Sequence, residues 1–190
     1  ILDAALEAGE LKPLKNPGVR TKVAERSIDL VICESAVIPQ VSVRISVEHK
    51  TIMTAHGKAR KNRYGDLIAY SNHMHNHSRK CIAGAIVVVN VSQRYENPDA
   101  FAKGLIRPEF KMEKVVTDTV AIFENIPLRN TPDDSGELPE ALALMIIDYD
   151  GANPSKLVTG KPAPQRESAA YYENFILRIC DLYGKRFGGR

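Results

Sequence analysis

Tryptophan is absent, and Tyr and Phe together make up only 6% of the chain. A platform that stacks the bases of a single strand needs aromatic faces, so that class of nucleic-acid binder is disfavoured. Long apolar runs are also missing. The longest, such as CIAGAIVVVNV at 81–91, falls well short of the roughly 20 residues a helix needs to cross a bilayer. No membrane span is expected. The opening ILDAALEAGE carries no basic segment ahead of an apolar one, so no signal peptide is expected there. A start at Ile1 rather than Met fits a processed or truncated piece of a longer protein. Cysteine is sparse: Cys33, Cys81 and Cys180 lie far apart with no CxxC pair. That argues against a cysteine-built zinc site and a disulfide framework, and fits a reducing, cytoplasmic setting.

What is present suffices for one sizeable core. With 190 residues, 44% of them hydrophobic, a single domain over 1–190 is expected. The net charge of +3 hides an asymmetry. Residues 11–80 hold 13 Lys and Arg against 5 Asp and Glu, a balance of +8, whereas residues 93–150 hold 6 against 12, a balance of −6. A basic half points to a polyanionic partner, and phosphate backbones are the commonest one. A solvated basic surface with no partner gives the same numbers. The acidic stretch reads equally as a dimer surface, a DNA mimic or a solvated face.

Hydrophobic periodicity orders the chain. LDAALEAG predicts a short helix with a Gly stop, and LKPLKNPGVR a Pro/Gly loop. RSIDLVICE (26–34) reads as a strand, and Pro39 in AVIPQ breaks it off. VSVRISVEHK (41–50) alternates: Val41, Val43, Ile45 and Val47 face one way, and Ser42, Arg44, Ser46, Glu48 and Lys50 the other. His49 is then expected on the core side, as a buried histidine. Residues 55–77 turn helical, with Tyr64, Leu67, Ile68 and Ser71 at helical spacing. The β-branched run at 81–91 predicts a strand covered on both faces. A helix at 112–126, a polar loop at 130–140, a strand at 141–150 and a closing helix at 166–186 complete an α/β sandwich with a mixed central sheet.

One constellation carries chemistry. Glu48 and Lys50 are two residues apart on an extended chain and share a face. If the two strands pair as a hairpin, Asp29 joins Glu48 on that face. Carboxylates brought together repel unless a proton or a cation holds them. Hard oxygen ligands suit Mg²⁺ or Mn²⁺, completed by water and substrate phosphate. Acid-x-Lys triplets are not rare: Glu10-Leu11-Lys12, Glu48-His49-Lys50 and Glu109-Phe110-Lys111 all occur. Only the middle one ends an alternating strand and has an aspartate in the strand before it. The plain structural reading of that triplet is the wet face of an edge strand.

An Asp in SIDLVI, Glu-x-Lys in SVEHK, the helix GKARKNRYGDLIAYSNHM and the strand CIAGAIVVVNV together resemble the PD-(D/E)xK nuclease superfamily, whose best-known members are type II restriction endonucleases. The resemblance covers about residues 1–92, the recognisable catalytic core; residues 93–190 carry no such motif and are expected to complete the sheet and pack helices. Ile28 stands where the family usually has Pro. The resemblance implies a restriction-endonuclease-like core, with Asp29 and Glu48 as ligands of Mg²⁺ (or Mn²⁺) and Lys50 serving the attacking water. It also implies hydrolysis of double-stranded DNA to 5′-phosphates and action as a homodimer. Some members add an acid from the first helix, for which Glu7 is the candidate. Resolvases, repair nucleases and phage-type nucleases share the same core.

Lys58, Arg60, Lys61 and Arg63 lie within six residues of one another, just after the triplet. Such cations give salt-dependent, sequence-independent hold on a DNA backbone, and Asn62 and Arg63 have the groups to meet base edges. HMHNH (73–77) places His73 and His77 on one helical face. Two alternatives therefore stand beside the nuclease: a DNA-binding module on the same fold without hydrolysis, and a zinc-binding structural or interaction protein built on His73 and His77.

Overall fold

The computed structural model describes residues 1–34, 43–95, 102–103 and 111–188. Pro39, the first two residues of the expected 41–50 strand, and Glu109 and Phe110 of the third triplet lie outside the described residues. The elements run in the order α1 (Leu2–Glu7), β1 (Lys12–Lys15), β2 (Gly18–Arg20), β3 (Glu25–Ser27), β4 (Leu30–Cys33), β5 (Val43–Ile52), α2 (His56–His77), β6 (Ile82–Asn90), α3 (Met112–Glu124), β7 (Ala141–Asp148), β8 (Lys156–Leu157) and α4 (Tyr172–Phe187).

Six strands form one mixed sheet in the order β1-β4-β5-β6-β7-β8, flanked by helices, while β2 and β3 make a separate two-stranded hairpin. β4 runs antiparallel to β5. β5, β6 and β7 are parallel neighbours. A parallel pair needs a long crossover, and α2 supplies it between β5 and β6. The strand from the second half of the chain, β7, completes the sheet beside β6.

Helices cover both faces. On one, Leu67 of α2 and Val116, Val120 and Phe123 of α3 pack over Ile52, Val87, Val89, Leu144 and Ile146. On the other, α1 and α4 bury Leu2, Phe175, Ile179 and Leu182 against Ile45, Ile82, Ala141 and Ala143. Gly84 lies under α4: a Cβ there would sit 3.0 Å from the Phe175 ring, so this strand position has no room for a side chain.

Several expectations shift. The 26–34 segment is not one strand; it breaks at Ile28 and Asp29 into β3 and β4. The Pro/Gly segment is not a simple loop, since β1 and β2 form within it; Pro13 is tolerated because β1 is an edge strand. The polar face of β5 is not wet: Ser46 is 0% and Glu48 3% exposed, because α2 lies over them. The alternation is not strict either, since β5 carries one extra residue where Ile45 pairs with Ile32 and Val43 with Cys33. Val43 therefore joins the α2-side cluster with Tyr70 and Met74. The inward face of α2 is Leu67, Tyr70, Ser71 and Met74, with Tyr64 exposed. α4 starts at Tyr172 rather than near 166. Among the described residues no helix is long and apolar enough to cross a membrane.

Candidate active site

The face of β5 that carries Glu48 and Lys50 is seated against α2 by a buried contact two residues earlier, where Ser46 Oγ lies 2.7 Å from the Tyr70 hydroxyl. Burial pushes the Tyr70 phenol well above its ordinary pKa, against the opposing pull of the Ser46 hydrogen bond. It stays protonated there as a neutral wall. The next side chain on this face is Glu48. Its Oε1 accepts a hydrogen bond from Lys50 Nζ at 2.5 Å and another from the Arg26 guanidinium at 3.4 Å. Its Oε2 is buried and has no hydrogen-bond partner. A buried polar atom left this way costs about 1–3 kcal/mol, and an unpartnered carboxylate oxygen is the kind of atom a cation satisfies.

Asp29 reaches the same strand from the β4 side. The ladder pairs Leu30 with Val47, so one further step brings Asp29 level with Glu48. The chain bends away at that step, and the Asp29 side chain replaces the missing rung: Oδ2 accepts the backbone N–H of His49 at 2.6 Å. The structure thus brings Glu48 and Lys50 into direct contact and fastens Asp29 to the residue between them. Asp29 is exposed while Glu48 is buried. His49 is exposed too, contrary to the expectation of a buried histidine. α4 packs over Gly84, which is level with Val47, two residues before the exposed His49.

Two carboxylates and no softer ligand make a hard oxygen donor set. Mg²⁺ and Mn²⁺ accept one or two protein carboxylates, with water and phosphate completing the shell, so the donor chemistry, with the unpartnered Glu48 Oε2, suits such an ion. Among the described residues no group of three or more His, Cys, Asp or Glu forms a larger metal cage. Glu7 is exposed on α1, and α1 packs on the α4 side of the sheet, the face opposite Glu48.

The basic cluster divides. Lys58 and Lys61 are exposed, whereas Arg60 pairs with Asp118 of α3 at 3.4 Å. Arg63 donates to Thr51 O at 3.2 Å and to Asp66 at 2.7 Å. Two of the four cations are therefore engaged by the protein itself. The histidines divide as well. His73 Nε2 and His77 Nδ1 share a face, as their spacing requires, and each lies 3.0 Å from a β2 carbonyl, Val19 O and Arg20 O. They pin the hairpin to α2.

His75 points the other way, into a buried charge cluster that no linear motif announces. Its Nε2 meets Glu140 Oε2 at 2.8 Å, which also accepts the Ala83 N–H at 2.9 Å. Glu140 Oε1 accepts from Arg129 at 2.8 Å and Arg186 at 2.9 Å. Glu140 and Arg129 are both fully buried. Burial pushes the Glu140 carboxyl pKa up, but the His75 hydrogen bond and charge, the Ala83 N–H and Arg186 outweigh it and hold the pKa below its ordinary value. All four lone-pair directions are used, so this cluster is a structural lock between β6, β7 and α4.

Comparison with protein-family models, with curated proteins and with solved structures gives no match. The functional reading therefore stands on the site. Arg26 escapes any reading of the linear order, because only the fold of the β2–β3 hairpin carries it to Glu48.

Proposed function

We propose that this chain is a metal-dependent endodeoxyribonuclease on a restriction-endonuclease-like core. One observation carries the reading: the Glu48 carboxylate has one oxygen held by Lys50 and Arg26 and the other buried and unpartnered, with Asp29 fastened to the same strand. The sequence of an antiparallel β4–β5 pair, a crossover through α2 and a parallel β6 supports the finer fold assignment. Asp29 and Glu48 would hold Mg²⁺ or Mn²⁺. Bound there, the ion lowers the pKa of a coordinated water and offsets charge at the phosphorus. Lys50 orients the attacking water from its place beside Glu48. The exposed Lys58 and Lys61 hold the DNA backbone. A homodimer acting on duplex DNA and leaving 5′-phosphates rests on the superfamily resemblance.

Supercoiled plasmid incubated with the protein in Mg²⁺, Mn²⁺ or EDTA tests this. Nicking and linearisation in metal and none in EDTA are expected, and Lys50→Ala should bind DNA yet cut at least about 100-fold more slowly. Wild-type protein that binds DNA and leaves it intact in both metals would make it the non-hydrolytic module instead. A Lys50→Ala variant cutting at the wild-type rate would end the assignment of Lys50.

A further inference from the structure

The second cation on Glu48 is not part of the Asp29, Glu48 and Lys50 constellation, and it comes from a different element. Arg26 lies in β3, the second strand of the hairpin. Its guanidinium sits over the Tyr70 ring, 5.9 Å from the centroid, and makes a single 3.4 Å contact to Glu48 Oε1. That is not the bidentate fork by which Arg grips a carboxylate firmly. The side chain is 28% exposed, against 4% for Glu48. A guanidinium has five N–H donors, so Arg26 keeps donors to spare toward solvent.

Charge shows what these donors are for. Asp29 and Glu48 carry two negative charges; Lys50 and Arg26 carry two positive ones. The four together are neutral. A divalent ion bound alone would bring the group to a net charge of +2, and the single negative charge of a phosphodiester arriving with it removes half of that excess. We infer that Arg26 is a ligand for the DNA phosphate that makes metal and substrate bind together. In the resting protein it lies on Glu48. When Glu48 takes the ion, the guanidinium turns to a phosphate oxygen. This rests on the nuclease reading above. Linkage makes the coupling reciprocal: DNA tightens the metal by the factor by which the metal tightens DNA.

The test compares wild type, Arg26→Gln and Arg26→Lys, each checked by thermal melting. Mn²⁺ alone is titrated calorimetrically, and plasmid cleavage is followed in Mg²⁺. Arg26→Gln removes the competing cation and should bind Mn²⁺ alone about tenfold more tightly, within the range usual for such couplings, while cutting about 100-fold more slowly. Arg26→Lys keeps the charge but not the fork; it should bind Mn²⁺ as wild type does and cut at an intermediate rate, which also serves if the glutamine variant fails to fold. An Arg26→Gln variant with an unchanged Mn²⁺ isotherm, or with wild-type cleavage, overturns the inference and leaves the nuclease reading standing. Wild-type protein that cuts in neither Mg²⁺ nor Mn²⁺ sinks both.

Discussion

The carboxylate of Asp29 accepts the main-chain N–H of His49 at 2.6 Å, where the ladder between β4 and β5 would otherwise place a carbonyl. One side chain thus serves the sheet and the candidate site at once, and the two roles can be separated. Asp29→Asn keeps an oxygen acceptor for His49 and should melt within about 1–2 °C of wild type, since most exposed substitutions lie within about 0.5 kcal/mol. Asp29→Ala removes the acceptor and should lose about 0.5–1.5 kcal/mol. Both should abolish metal-dependent cleavage. Equal melting temperatures for Asn and Ala, measured by circular dichroism, would show that the side chain does not hold the strand.

The basic helix offers a second separation. Lys58 and Lys61 are exposed, so Lys58→Ala and Lys61→Ala should each lower the slope of log affinity against log salt by about 1 and leave stability alone. Arg63 ties α2 to Thr51 O and Asp66, so Arg63→Ala should lower the melting temperature as well. Fluorescence anisotropy on a short duplex in EDTA across a salt series decides it; identical slopes for all variants would remove this face from the DNA interface.

Glu140 anchors two buried arginines and a buried histidine. Glu140→Gln leaves those cations without a counter-charge, a loss of about 3–5 kcal/mol. At about 2–4 °C per kcal/mol for a chain of this size, the melting temperature should fall by about 6–20 °C. The pH dependence has a definite sign. The folded carboxyl pKa lies below its ordinary value of 4.5, so the unfolded chain takes up the proton first. The stabilisation is complete above about pH 4.5 and disappears as pH falls through the folded value. Melting temperatures of wild type should therefore drop on acidification over that window, and those of Glu140→Gln should drop less. Parallel curves would refute this.

The cysteines give a chemical readout of the same core. Burial pushes the Cys81 thiol up to about 12, against the opposing Ser46 hydrogen bond, and Cys33 is buried as well. Cys180 is half-buried. At pH 8 iodoacetamide should therefore alkylate Cys180 first, with all three modified only after denaturation, as read by intact mass and peptide mapping. Rapid modification of Cys81 in the native protein would mean that the Ser46–Tyr70–Cys81 packing is open.

Central elements were legible because their pattern is long. The nine-residue β-branched run of β6 leaves little choice, and the 22-residue α2 was legible as a helix from Leu67 and Ser71, though not in its inward face, since Tyr64 is exposed. β2 and β3 were not, since strands of three residues lie below any periodicity. β5 misled differently. Ser46 and Glu48 alternate with valines as a wet face would, and only the helix above them makes that face interior. Glu140 sits after Pro139 at the end of a polar run and reads as solvated, yet its partners are 11, 46 and 65 residues away. The Glu48–Lys50 pair is local and was readable. Arg26, 22 residues from Glu48, depends on where a hairpin lands.

That hairpin has only three residue pairs of its own, too few for independent stability. Val19 is buried against α2, and the two imidazoles grip its carbonyls. The guanidinium and the exposed lysines are consequently mounted on a single beam. Tilting that beam would carry Arg26, Lys58 and Lys61 in concert while Lys50 stays on β5 with Glu48, so the spacing between the strand-borne acids and these three cations is set by one rigid lever rather than by several independent loops.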